Sequence, residues 1–190
     1  MSNSNMSNSN MPDTEMNNSH AQNKFNLFGL AESFDVDVDR LEKAYLDLSS
    51  QFHPDKNPQA SSRQKLEMTV KTADLNKAYE TLKDPLTRGY HLLTIKASHL
   101  DADSEKTIRD PDLLLEALED QEALDEMQGQ AEVEAFIEKA SKKVQNTLSE
   151  ISKAFKGNDF DGAMIALYRL RYYQKTMKDG QHKQALLKPD

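Results

Sequence analysis

The sequence contains no cysteine in 190 residues. This absence excludes disulfide bonds, thiolate metal sites and cysteine nucleophiles, and it fits a reducing compartment. Tryptophan is also absent and hydrophobic residues make up 37% of the chain, so we expect a modest core of Leu, Ala, Phe and Tyr side chains. No apolar run approaches the roughly 20 residues that a membrane-spanning helix requires, so we expect no membrane partner.

Basic residues are outnumbered by acidic ones. The Lys+Arg count is 24, the Asp+Glu count is 32, and the formal net charge is -8. A nucleic-acid interface needs clustered positive charge to neutralise phosphates. The charge balance therefore argues against nucleic-acid binding as the main activity, and it favours either a basic protein partner or good solubility.

Large apolar side chains are almost absent from the N-terminal segment, residues 1–23, which opens with Met-Ser-Asn-Ser-Asn written twice. A polar, low-complexity segment buries too little apolar surface to offset the entropy of ordering. We therefore predict a disordered tail over residues 1–23. The tail has no Arg and no apolar core, so it matches neither a secretory signal nor a mitochondrial transit peptide.

Apolar positions three and four residues apart predict two amphipathic helices after the tail. The first extends from a cap at Asp37 to about Phe52, and the second extends from Ser61 or Ser62 to Asp84. A Pro directly after Asp84 stops the second helix. Two helices joined by a short loop should pack antiparallel and bury their apolar stripes on each other.

The turn between these helices contains His53-Pro54-Asp55-Lys56. Pro54 fixes its own φ angle, donates no backbone hydrogen bond and pushes His53 out of helical geometry. Polar side chains on a stiff, exposed turn are well placed for recognition by a partner. An enzyme that uses His53 and Asp55 as an acid–base pair is the less favoured interpretation, because no nucleophile or phosphate loop accompanies them. An ordinary helix-stopping turn is the structural alternative.

His-Pro-Asp between two amphipathic helices resembles the J-domain, the DnaJ-type co-chaperone module, and we assign the J-domain to residues 24–88. The resemblance implies that this turn stimulates the ATPase of a DnaK-type chaperone, and that Asp55 pairs with an arginine of that chaperone. The implied chaperone-binding residues are His53, Pro54, Asp55, Lys56, Arg40 and Lys43. Ser49-Ser50 occupy positions where a typical J-domain has Lys or Arg, which weakens electrostatic steering and suggests a dedicated chaperone.

Asp110-Pro111-Asp112 predicts the start of an acidic helix: a cap, a proline at the first position, and an acid at the positive end of the helix dipole. The helix extends to Met127 and contains no Lys or Arg. Its leucines are spread too widely for one buried stripe, so part of the leucine surface is expected to stay exposed beside carboxylates. The simplest alternative is a solvated charged face.

Two further helices are predicted after the acidic one, over about residues 132–156 and from residue 158 or 159 to Gly180. Gly157-Asn158 should separate them with positive φ angles. Three helices with apolar stripes make a compact bundle, so we predict an all-α chain.

A J-domain followed by an acidic, leucine-rich helix and two more helices resembles the HscB family, the co-chaperones of iron–sulfur cluster assembly. The motifs that carry the resemblance are residues 25–30, residues 110–127 and Arg169-Leu170-Arg171-Tyr172, and it extends over about residues 24–187. It implies an L-shaped protein with a linker over residues 89–109 and a three-helix bundle over residues 110–187.

The HscB resemblance also implies two partners, an HscA-type chaperone and an IscU-type scaffold protein. We expect the chain itself to bind no nucleotide and no cluster, because it has neither a phosphate loop nor a thiol, and we expect no metal site. The implied scaffold-binding residues are Leu114, Leu115, Leu118, Glu119, Glu122, Glu126 and Tyr172. Tyr172 stands where other members can have Phe, which would place a hydroxyl at the rim of the contact. We expect a bacterial, cytoplasmic protein, because a Cys-rich N-terminal module and a transit peptide are both missing.

The main alternative is a J-domain co-chaperone with a different client. In that case the C-terminal bundle would be a generic adaptor or a dimerisation module. The two functions differ in what the acidic helix contacts.

Overall fold

The structure, a computed structural model, describes residues 23–52, 61–97, 100 and 110–187. Within these ranges the chain forms helices and no strand, which confirms the all-α prediction. Residues 1–22 of the predicted tail and the His53-Pro54-Asp55-Lys56 turn lie outside the described residues. The helices are α1 (Lys24–Leu27), α2 (Val38–Phe52), α3 (Ser62–Lys83), α4 (Pro85–Lys96), α5 (Pro111–Glu126), α6 (Gln130–Lys156) and α7 (Phe160–Leu186).

Local side-chain caps fix where α2 and α3 begin. Asp37 Oδ1 accepts a hydrogen bond from the backbone N–H of Arg40 at 3.0 Å. Ser61 Oγ accepts from the backbone N–H of Gln64 at 3.3 Å, and the Gln64 side chain accepts in return from the backbone N–H of Ser61 at 2.9 Å. These bonds satisfy N–H groups that have no partner inside a helix, and they confirm the predicted starts at Asp37 and Ser61.

The helices α2 and α3 pack on each other through their apolar stripes. Leu41 of α2 and Leu82 of α3 are fully buried. The rings of Tyr45 and Tyr79 stack with their centroids 4.2 Å apart, and the Tyr45 hydroxyl donates to Asn76 Oδ1 at 3.1 Å. The predicted hairpin core is therefore present in the described residues.

Asp84 both ends α3 and begins α4. Its backbone N–H donates to the Glu80 carbonyl at 3.3 Å, and its Oδ2 accepts from the backbone N–H of Thr87 at 2.9 Å. Pro85 then occupies the first helical position. A backbone N–H at that position has no partner inside the helix, so a proline there removes no helical hydrogen bond. The helix α4 includes residues 89–96, which the sequence predicted as part of a linker, and several of their side chains are buried.

A continuous core joins α1–α4 to α6 and α7. Leu92 and Leu93 of α4 belong to the same buried cluster as Ile151 of α6 and Leu167 of α7. At the edge of this core, Asp35 Oδ2 lies 2.7 Å from Lys156 Nζ and accepts from Ser152 Oγ at 2.7 Å. The J-domain helices and the C-terminal helices thus bury apolar surface against one another.

The end of α7 differs from the sequence prediction. Gly180 does not end the helix, which extends to Leu186. Gly180 is buried instead where α7 approaches α6, and a Cβ atom there would lie 2.9 Å from Ile137 Cγ1. The turn before α7 also differs in part, because only Asn158 has a positive φ angle, of 56°, while Gly157 has a φ angle of -83°.

The packing of α4 on α7 predicts that Gly89→Ala lowers the free energy of unfolding. A Cβ atom at Gly89 would lie 2.4 Å from Cδ2 of the fully buried Leu167. Overpacking costs about 1–3 kcal/mol, and so close an approach to a fully buried side chain places the cost in the upper part of that range, about 2–3 kcal/mol. The better helix propensity of Ala returns about 1 kcal/mol, so we expect a net loss of about 1–2 kcal/mol in urea titrations. Gly157→Ala is the control, since that site is exposed and a Cβ atom there would lie 3.4 Å from the Lys153 carbonyl oxygen, an ordinary contact distance. Equal stability of the two variants would contradict the prediction.

Buried His91 predicts a loss of stability in mild acid. Its Nε2 accepts the backbone N–H of Lys24 at 3.1 Å and its ring stacks on Phe25. Burial, and then the charge of Lys24, lower the pKa of His91 from 6.5 to about 4. Because the folded pKa is the lower one, the unfolded chain binds the proton first, and the stabilisation is complete above pH 6.5 and lost as the pH falls toward 4.

Urea titrations at pH 7.5 and pH 5 measure this loss, and His91→Gln, which keeps an acceptor but does not titrate, should reduce it. An identical loss in His91→Gln would show that another group is responsible.

Candidate functional site

The start of α5 is fixed by Asp110. Its Oδ1 accepts from the backbone N–H groups of Asp112 and Leu113, both at 3.2 Å, and Pro111 occupies the first helical position. The bond from Leu113, together with Arg169 Nη2 at 3.4 Å from Asp110 Oδ2, lowers the pKa of the Asp110 carboxyl. The predicted helix start is confirmed, and Arg169 connects it to α7.

One side of α5 is exposed although it carries leucines. Leu114, Leu115 and Leu118 are 52%, 57% and 62% exposed. With 3.6 residues per turn, Leu115 lies on the side of the helix opposite the buried Leu124. Exposed carboxylates surround the leucines. We define the leucine face as the exposed residues Leu114, Leu115, Leu118, Glu119, Glu122 and Glu126.

The leucine face matches a protein-binding surface in its chemistry. Leucines that are exposed next to one another on one helix are not needed to fill the core, and an apolar patch with a polar rim is typical of interaction sites. The rim is wholly acidic, so it complements a partner that presents apolar and basic side chains.

Tyr172 is separated from the leucine face by the thickness of α5. Its hydroxyl lies 3.1 Å from Asp120 Oδ2 and 3.2 Å from the Glu116 carbonyl oxygen, on the side of α5 that faces α7. Burial, together with the charges of these two acidic residues, raises the pKa of Tyr172 well above its usual value. The hydroxyl is therefore not at a free rim, as the sequence suggested, because a carboxylate of the neighbouring helix holds it.

The inner side of α5 carries a group of polar contacts beside the buried Leu124. Lys143 Nζ of α6 lies 2.6 Å from Glu116 Oε1 and 3.3 Å from Asp120 Oδ2. The Tyr173 hydroxyl donates to Glu116 Oε2 at 3.1 Å. We define the inner polar cluster as Glu116, Asp120, Lys143, Tyr172 and Tyr173.

The electrostatics of this cluster hold the charge on Lys143. Burial alone would lower the pKa of Lys143, but the hydrogen bonds and charges of Glu116 and Asp120 outweigh burial and raise the pKa. Sequence reasoning did not find this cluster. Glu116 and Asp120 are one helical turn apart, which places them on one side of α5, but their cationic partner is 27 residues away from Glu116.

The end of α5 has a separate attachment. Lys183 Nζ of α7 donates to the carbonyl oxygen of Leu124, and to that of Asp125 at 2.9 Å. These carbonyls are in the last turn of α5, where intrahelical partners are lacking and a cation is favoured by the helix dipole. Polar contacts thus hold α5 at its start, its middle and its end.

Only part of the predicted chaperone-binding set can be placed. Arg40 and Lys43 are exposed on α2, and Arg40 Nη2 donates to the Gly29 carbonyl at 3.4 Å. His53, Pro54, Asp55 and Lys56 lie outside the described residues. The electrostatic role of this exposed pair stays a prediction.

In the part of the chain that the structure describes, no three His, Cys, Asp or Glu side chains come together as metal ligands would. None of the described helices combines the length and apolarity needed to span a bilayer.

Two family models match the chain, a DnaJ domain over residues 25–91 and an HSCB C-terminal oligomerisation domain over residues 109–179. The co-chaperone protein HscB homolog of Aeromonas salmonicida is 30% identical over 161 residues, which cover 83% of this chain and 93% of that protein.

Solved structures are similar over most of their length. Chaperone HscB from Vibrio cholerae matches with a TM-score of 0.79 and 28% identity, covering 87% of this chain and 99% of that chain. Human co-chaperone protein HscB also gives a TM-score of 0.79 at 28% identity, covering 87% and 83%. The Jac1 co-chaperone of Saccharomyces cerevisiae gives 0.67 at 27% identity, covering 84% and 90%.

The exposure of the leucine face predicts that its leucines contribute little to stability. Leu118→Ala should change the free energy of unfolding by no more than about 0.5 kcal/mol, as surface substitutions do. Leu124→Ala, on the same helix but only 5% exposed, should cost about 2–5 kcal/mol. Urea titrations of both variants measure the difference. A large loss in Leu118→Ala would mean that this leucine supports the fold.

Proposed function

The chain belongs to the HscB family of J-domain co-chaperones, and from that premise we propose that it couples two partners. It stimulates the ATPase of an HscA-type chaperone and delivers an IscU-type iron–sulfur scaffold protein to that chaperone. The coarser statement follows from the family alone: the J-domain implies a DnaK-type chaperone partner, and HscB proteins are co-chaperones rather than enzymes.

The observation that carries the scaffold assignment is the leucine face. Leu114, Leu115 and Leu118 are exposed on a helix whose inner side carries a group of polar contacts, so their apolar character is explained by a partner rather than by the core. A scaffold surface with apolar side chains beside Lys or Arg would match both the leucines and their carboxylate rim.

The chaperone assignment depends on the His53-Pro54-Asp55 turn and the basic side chains of α2. Asp55 pairs with an arginine of the chaperone, a charge-assisted contact worth about 1.5–3 kcal/mol. Arg40 and Lys43 steer the approach of an acidic chaperone surface. Stimulation of the partner's ATP hydrolysis follows from this docking.

Physical coupling follows from the continuous core between α4, α6 and α7. The two proposed sites belong to one chain, so a scaffold bound to α5 is presented to the chaperone at high effective concentration. ATP hydrolysis by the chaperone is then stimulated while the scaffold is bound to the same co-chaperone molecule. A cytoplasmic location belongs to the same proposal, and the absence of cysteine supports it.

The chaperone assignment predicts that Asp55→Asn abolishes stimulation of the chaperone ATPase and leaves scaffold affinity unchanged. Asparagine has a similar shape but cannot form the ion pair. Steady-state ATPase rates of an HscA-type chaperone measure the first effect. Asp39→Asn, which changes an exposed acid on α2, is the control and should stimulate normally. Full stimulation by Asp55→Asn would show that the proposed ion pair between Asp55 and an arginine of the chaperone is not needed.

The scaffold assignment predicts that Leu114→Ala/Leu118→Ala/Glu122→Ala weakens binding of an IscU-type protein at least about tenfold, equivalent to about 1.4 kcal/mol. Calorimetric titration measures the dissociation constant. Leu186→Ala, which removes an exposed leucine on α7 outside the leucine face, is the matched control. Absence of binding by the unmodified protein would refute the scaffold assignment and leave the chaperone assignment standing.

Self-association through the leucine face is a second candidate, because the matching family model is described as an oligomerisation domain and an apolar patch can bind a second copy. Light scattering of the protein alone, run on the same samples, separates the two. A monomer at micromolar concentration that binds scaffold favours delivery, and a dimer that the triple substitution dissociates favours self-association.

A further inference from the structure

The polarity of α5 is inverted relative to an ordinary surface helix. Such a helix turns an apolar stripe to the core and charged residues to solvent. In α5 three leucines are exposed, while Asp120 is buried and Glu116 is half-buried. The apolar side chains on the inner side are the buried Leu124 and the half-buried Leu113 and Ala117, so turning the three exposed leucines inward would bury more apolar surface. The hydrophobic effect favours the opposite orientation, with the leucines turned toward α6 and α7, so some other interaction must hold α5 as it is.

The inner polar cluster supplies that interaction. A buried carboxylate is costly without hydrogen-bond partners, and Asp120 has two, Lys143 Nζ and the Tyr172 hydroxyl. Glu116 shares Lys143 and accepts from the Tyr173 hydroxyl as well. If α5 turned about its axis, the ammonium group of Lys143 would lose both carboxylates and face leucine side chains.

The attachments at the two ends of α5 constrain its position more than its rotation. Arg169 pairs with Asp110, which precedes the helix, and Lys183 binds backbone carbonyls of the last turn, which point along the helix axis. The side-chain contacts that depend on rotation lie in the middle of α5, where Lys143 of α6 contacts Glu116 and Asp120.

We propose that Lys143, through its ion pairs with Glu116 and Asp120, is a positioning residue that keeps the leucine face of α5 turned outward for the scaffold. Buried ion pairs often add little net stability and can instead select one arrangement over a competing one. The identity of the scaffold rests on the proposed function, but the orientation of α5 can be measured without any partner.

Thiol labelling measures that orientation, because the chain has no native cysteine. Single substitutions place a thiol on the outer side of α5 (Leu118→Cys), on its inner side (Ala117→Cys), or in the α6–α7 core (Ala166→Cys, a buried position). Each is combined with Lys143→Met, with Lys143→Arg, or with Lys142→Met, which removes a neighbouring exposed lysine that pairs with Glu138. Rates of reaction with a small disulfide reagent are then compared.

The thiol from Leu118→Cys should react about tenfold faster than the thiol from Ala117→Cys while Lys143 is present, since reactivity follows exposure. Lys143→Met should reduce this ratio at least about threefold, Lys142→Met should not change it, and Lys143→Arg should restore it. The core thiol should remain slow throughout. An unchanged ratio in Lys143→Met with a protected core thiol would overturn the proposal.

Global unfolding is separated from rotation by the core thiol. If Lys143→Met also exposes the thiol from Ala166→Cys, Lys143→Gln, which removes the charge but keeps a hydrogen-bond donor, takes its place. A lowered ratio of the two α5 rates with a slow core thiol then supports the proposal, and an unchanged ratio overturns it.

Scaffold affinity gives the functional readout. Lys143→Met should raise the dissociation constant for an IscU-type protein about tenfold, and Lys143→Arg should recover it, although residue 143 lies on α6 behind the leucine face. If the unmodified protein binds no scaffold, the proposed function fails while the labelling ratios still decide the orientation of α5.

Discussion

The connection between the J-domain helices and the C-terminal helices depends on the packing of α4 against α7. Gly89 brings the two helices so close that Leu167 occupies the space where a side chain would lie. Through this contact the buried core of the α2–α3 hairpin is continuous with the core of α6 and α7. An ion pair between Asp35 and Lys156 lies at the edge of that core. A J-domain and a helical bundle that could have been connected by a loose linker therefore share buried surface.

The helix α5 follows a different physical rule. It adds little to the shared core, since Leu124 is its one buried apolar side chain among the described residues, and it is attached by polar contacts along its inner side. That division explains how leucines can remain exposed on a folded domain. Hydrogen bonds and ion pairs determine the orientation of the helix, and the exposed leucines of the leucine face are left available for binding.

The helix starts could be predicted from the sequence because a cap is formed within three residues of the chain. Ser61 and Asp110 are recognisable for that reason. Gly180 was misread as a helix end, since glycine there serves the approach of α6, which no local pattern reveals. The exposure of the leucines followed from their spacing, but the partners of Lys143 and the engaged hydroxyl of Tyr172 depend on tertiary contacts between helices far apart in sequence.

A complementation assay tests whether one molecule holds the scaffold and the chaperone together. The chaperone ATPase is measured with scaffold present and either the unmodified protein or an equimolar mixture of Asp55→Asn with the triple leucine-face variant. The mixture contains both functional sites, but on different molecules. The unmodified protein should stimulate hydrolysis more than the mixture does, because only it gives the effective-concentration advantage. Equal stimulation by the mixture would show that the two sites need not lie on one molecule.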